Sequence, residues 1–204
     1  MRSVLRIGLV LSLAFAFFSC AQPPEEELKA AADALAAAKM AEADIYAPET
    51  YQSAQDTLNE ANVKGDPESD QRDYESSRMS AIRAKELADR ATQEAGVNKE
   101  QTRNEAQDLI TRLSTELTDF RAALNNVPRG KGADDDLDQL QSDLAQSEAS
   151  LSDAKNSLNT GNFKDALDQA RSAEDNMSQV QGAVQTAMQK VEEWRIENRP
   201  WYEL

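Results

Sequence analysis

The chain has 204 residues, 37 of them acidic and 22 basic, no histidine, and a formal charge of −15. That balance argues against a nucleic-acid partner, since phosphates reward basic patches, and it keeps the surface well solvated. Alanine, leucine, glutamine, glutamate, lysine and arginine dominate after residue 25; all are good helix formers, and no β-branched or aromatic run of strand length occurs, so the expected class is all-α.

In chain order, Arg2 and Arg6 precede Ile7 to Phe18, twelve residues in which only Ser12 is polar. A helix of that length spans about 18 Å, short of a hydrocarbon core of about 30 Å. A basic start, a short apolar run and then small residues describe a secretory signal. Ser19-Cys20-Ala21 resembles the bacterial lipoprotein cleavage box, with Phe17 where leucine is usual. The resemblance implies that residues 1–19 are removed and that Cys20, the only cysteine, becomes the lipidated first residue. Residues 20–25 then form a short Pro-containing tether. Two or three acyl chains hold a protein firmly on a bilayer, whereas one holds it marginally. In the lipoproteins that the box resembles, a residue other than aspartate after the cysteine goes with outer-membrane sorting in enteric-type bacteria, so the resemblance, with Ala21, implies that address. The competing reading is an uncleaved anchor or an ordinary buried cysteine, and the shortness of the apolar run opposes it.

The mature chain reads as helix almost throughout. Three glutamates, 25 to 27, follow two prolines and suit the positive end of a helix. Leu28, Ala31, Leu35, Ala38, Ala41 and Ile45 step by three and four until Pro48, which ends one segment and can open the next. Tyr51, Ala54, Leu58 and Ala61 continue to Gly65, and the polar stretch 62–72 reads as a loop. A long segment from about Asp73 carries Tyr74, Ser77, Ala81, Ala84, Ala88, Ala91 and Ala95 on one face. Its stripe resumes at Ala106, Ile110, Leu113, Leu117, Phe120, Leu124 and Val127. Gly96 to Glu105 is a bare helical strut or a hinge, and the register kept across the gap favours the strut. Residues 127–136 form the clearest break. Leu137, Leu140, Leu144, Ser147, Leu151, Ala154 and Leu158 follow, then Phe163, Ala166, Ala170, Ala173, Met177, Val180, Val184, Ala187, Val191 and Trp194. Such regular steps call for antiparallel coiled-coil packing.

An internal repeat is visible. Ala54 and Leu58 correspond to Ala154 and Leu158, and Tyr74, Ser77, Ala81, Ala84 and Ala88 correspond at identical intervals to Phe163, Ala166, Ala170, Ala173 and Met177. The expected fold is an elongated antiparallel helical bundle of two helical-hairpin units sharing a long central helix. Its parts are an Ala-rich unit, 26–96, a coiled-coil bundle, 97–198, and an aromatic tail, 199–204. The first unit, through Tyr46-Ala47-Pro48 and Asp73-Tyr74 within residues 23–95, resembles an alanine-rich domain-of-unknown-function family of bacterial lipoproteins. Its 62–72 loop is longer than the tight turn usual there. Relatives often carry an OmpA-like peptidoglycan-binding module downstream; this chain shows none, and the family lends no chemistry.

Catalytic patterns fail in turn. Without histidine, and with its cysteine acylated, the chain offers no triad, zinc site or thiol nucleophile. Asp134, Asp136 and Asp138 mimic a calcium loop but meet Gln139 where glycine is needed and Ala145 where the bidentate glutamate belongs. No enzyme, cofactor or metal is expected. Trp194, Trp201 and Tyr202 are the candidate partner-binding residues. The favoured reading is that Trp194 ends the heptad core while Trp201 and Tyr202 cover the bundle end. The expected function is a lipid-anchored spacer or protein-docking scaffold of the bacterial cell envelope, held in the membrane by its lipid, with an envelope protein as partner. A homo-oligomer stays open. The alternative function is a periplasmic chaperone or carrier that shelters an apolar client between helices.

Overall fold

A computed structural model describes residues 22–125 and 134–197, and everything described is helix, turn or short connection, with no strand. Six helices occur among these residues, so the chain is an all-α bundle. The first, α1 (Glu25–Met40), starts behind Pro24, whose carbonyl accepts from the Leu28 amide at 3.0 Å. Its three leading glutamates lie at the positive helix end. It stops at Met40, short of Pro48. Glu42 adopts φ 59, a left-handed conformation that usually falls to glycine at a helix end, and its amide bonds the Lys39 carbonyl at 2.9 Å.

That one residue turns the chain. The short α2 (Ala43–Tyr46) buries Ala43 and Tyr46, with Ala47 following, while Ile45 is 47% exposed. The 28-to-45 stripe was expected to run as one face; the left-handed residue resets its register, so Ile45 leaves the core. Pro48 then opens α3 (Pro48–Gly65) at its first turn, where no amide is needed. Here too the structure corrects the sequence reading, because 62–65 belong to the helix and the connection is 66–73. Gly65 is buried and holds the last turn against α4, whose Ser77 hydroxyl donates to the Ala61 carbonyl at 2.7 Å. The connection is stitched locally: Asp66 Oδ1 accepts from the Glu68 amide at 2.8 Å, and Arg72 donates to the Pro67 carbonyl at 2.7 Å.

The longest helix, α4 (Tyr74–Asn125), has 52 residues and runs unbroken through Gly96. It is followed by α5 (Asp134–Thr160) and α6 (Phe163–Glu197), joined by a tight turn at Gly161, φ +85. Positive φ there makes glycine the natural occupant. The expected break at 127–136 and Val127 fall largely outside the described residues; α5 is described from Asp134.

The chain divides into two compact units, Met1–Gly96 and Val97–Leu204. In the first, α1, α2 and α3 pack on the leading part of α4. Alanine fills the interface: Ala31, Ala61, Ala81 and Ala84 around Leu58, then Ala34, Ala38, Ala54, Ala88, Ala91 and Ala95 around Tyr46. Glu27 pairs with Arg78 at 2.8 Å, so α1 and α4 start side by side, whereas Thr50 donates to Glu94 at 2.6 Å, so α3 runs opposite to α4. In the second unit the trailing part of α4 packs on the α5–α6 hairpin. Its core holds Ile110, Leu113, Leu117, Leu124, Leu137, Leu140, Leu144, Leu151, Met177 and Val180. Arg171 pairs with Glu105 at 2.7 Å and Arg112 pairs with Glu174, so α4 and α6 run the same way.

Each unit is therefore three helical runs in alternating direction, with the first and third parallel. The repeat seen in the sequence is a packing repeat: Ser77, Ala81, Ala84 and Ala88 in one unit and Ala166, Ala170, Ala173 and Met177 in the other are all buried.

Candidate functional site

The residues singled out from the sequence lie mostly beyond what is described. Cys20, Trp201 and Tyr202 are outside the described residues; Trp194 lies in α6, and its side chain is outside them too. The main surface feature is a groove of about 610 Å³ between the trailing part of α4 and α6. It grows out of the stripe on α4. Leu113, Leu117 and Leu124 are buried, but Phe120, on the same stripe, is only partly covered. Phe120 and Ala123 from α4 and Met177 from α6 form an apolar lining, with Ser178 and Gln181 farther along α6. Around them stand Glu116, Asp119, Glu174 and one cation, Arg112. The Arg112 guanidinium is paired with Glu174 and donates to Glu116 at 3.2 Å. Those two bonds, Glu174 first, raise its pKa above the ordinary arginine value, so its charge is committed to the groove's own carboxylates. What remains is an apolar strip with a net negative rim, a surface suited to binding.

The opposite flank of α4 differs. Two smaller grooves of about 300 and 320 Å³ run between α4 and α5; Arg121, ion-paired with Glu148, lines both, and Lys155 lines the second. Sequence periodicity placed Phe120 in the core and missed the groove. The available signal was Glu116 and Asp119 flanking the lone aromatic in a leucine stripe.

Elsewhere the perturbed carboxylates have structural causes. Glu94 is held below its ordinary range by the Thr50 hydroxyl and then by Arg90, Glu60 by Lys64, and Asp73 by the side chain and then the backbone of Ser76. Among the described residues no three histidine, cysteine, aspartate or glutamate side chains are grouped to hold a metal ion, and no helix is long and apolar enough to cross a membrane. The buried polar side chains Ser77 and Ser147 donate to helix carbonyls, of Ala61 and Asp143. Comparison with protein-family models, with curated proteins and with solved structures finds no match.

Proposed function

We propose that this protein is a lipid-anchored component of a bacterial cell envelope, held through Cys20 at the outer membrane, that serves as a non-enzymatic helical spacer and docking scaffold. The observation that carries the reading is the order of its N-terminal features. Two arginines, a twelve-residue apolar run and Ser19-Cys20-Ala21 are followed within a few residues by the first glutamate of a helical bundle. Further support comes from how the interior is used: the buried side chains are overwhelmingly alanine and leucine, spent on packing helices. The grooves of the second unit have charged rims, which favours docking over enclosure of an apolar client as the carrier alternative would require.

The test is mass spectrometry of the protein purified from membranes of the bacterium that makes it. The expected species begins at Cys20 and carries two or three acyl chains. Cys20→Ala should lose the acyl mass together with co-migration with the outer membrane on a density gradient. A native chain that still begins at Met1, or that carries an unmodified thiol, overturns the reading.

A further inference from the structure

We propose that the groove between α4 and α6 is the docking site for a basic amphipathic helix of a partner protein. The inference deepens the scaffold reading, on which it rests, by naming the chemistry of the partner.

Three features of the groove converge. Its lining on α4 runs from Arg112 to Ala123, eleven residue steps or about 17 Å, the length of three helical turns. Phe120 and Ala123 offer apolar surface at the trailing end of that length, over the buried Met177, and Phe120 is left partly uncovered by its own bundle. An amphipathic helix laid in a groove presents apolar anchors at three- and four-residue spacing and flanking polar residues to the walls. Those walls carry three carboxylates, Glu116, Asp119 and Glu174, and the one cation among them is already paired with two of the three. A helix with lysine or arginine flanking its apolar stripe complements this rim, and an acidic helix is repelled by it. The negative sign belongs to the groove and is not merely the overall acidity, because the flank on the other side of α4 sets Arg121 and Lys155 against Glu148.

The probe is a fluorescein-labelled 14-residue peptide of leucine and lysine with the leucines at three- and four-residue spacing, read by anisotropy against the full mature chain. Saturable one-to-one binding is expected, and a peptide of the same composition with scattered leucines should bind at least about tenfold more weakly. The triple variant Glu116→Gln, Asp119→Asn, Glu174→Gln should weaken binding by about tenfold or more. An equal loss of charge at three exposed carboxylates in the first unit, Glu49→Gln, Asp56→Asn and Glu86→Gln, should leave it nearly unchanged. Arg112→Gln should tighten binding about threefold, a gain that misfolding cannot produce.

Absence of saturable binding overturns the proposal. So does equal affinity for the scattered peptide, or equal loss in the two triple variants, which would reduce the effect to bulk charge. The acylation of Cys20 is measured separately, so a failed groove with an acylated Cys20 leaves the anchored scaffold standing.

Discussion

Gly65 and Ser77 share one small volume where α3 meets α4. A Cβ on residue 65 would lie 2.7 Å from Ser77 Oγ and 3.1 Å from Leu28 Cδ1. The hydroxyl cannot swing away without giving up its 2.7 Å bond to the Ala61 carbonyl, in a place where Ser77 is fully buried. Gly65→Ala should therefore cost about 1–3 kcal/mol through overpacking and a strained or lost hydrogen bond. Ser77→Ala alone should cost about 0.5–1.5 kcal/mol. Combined, the two should cost clearly less than their sum, because the Ser77 Cβ left behind stands at an ordinary 3.7 Å. Denaturant melts of the four proteins measure the coupling, and additive values would mean that the Oγ contact does not exclude a side chain at 65. Spacing placed Ser77 on the packed face of α4, but Gly65 read as a loop glycine, and only the residue facing it reveals its use.

At the scale of the element, helix ends decide how the chain turns. Asp73 caps α4: its Oδ1 accepts from the Ser76 amide at 3.0 Å and its Oδ2 from the Ser76 hydroxyl at 2.6 Å. Both bonds favour the carboxylate and hold the Asp73 pKa below its ordinary 3.8, the hydroxyl contributing most. A group whose folded pKa is depressed adds stability that is complete above its unfolded value and is lost as pH falls through the folded one. Asp73→Ala should thus melt lower than the natural protein at neutral pH. The gap should narrow once the pH drops below about 3.8. Thermal melts followed by circular dichroism across that range check the sign; a gap that stays constant on acidification would show that the charge on Asp73 contributes nothing to the cap. The start of α4 was readable because aspartate before an aromatic and a helical stripe is a local signal. The end of α1 was not: a glutamate occupies the left-handed position at 42, and nothing in its identity announces it.

For the whole molecule, the two units differ in what fills them. The first is packed mainly by alanine and the second by leucine, isoleucine, valine and methionine. A leucine carries three more carbons than alanine, and each buried carbon is worth about 0.8 kcal/mol, so a layer of the first unit gains far less from burial than a layer of the second. Native-state hydrogen exchange should find amides 28–95 opening at lower free energy than amides 137–184. Within α4 itself, the amides of 81–95 should exchange ahead of those of 110–124. Equal protection in both stretches would mean that alanine's small buried area is offset by closer packing. The alanine-packed unit is the one that follows Cys20 in the chain, and the groove lies in the leucine-packed unit.

What the amino-acid sequence determined by itself was whatever depends on spacing along one chain: the helical class, the apolar stripes on α3, α4, α5 and α6, the repeat, and the starts at Pro48 and Tyr74. Periodicity and capping act over a few residues, so they are written locally. The tertiary structure alone decided the features that need a facing surface. It continued α3 through Gly65 because Ser77 and Leu28 lie opposite, it exposed Ile45 by turning the chain at Glu42, and it buried Leu167 against Ala106 and Ala166. Phe120 was placed on its stripe by spacing, but how far it is covered depends on what α6 sets beside it, and that shortfall in coverage is the groove.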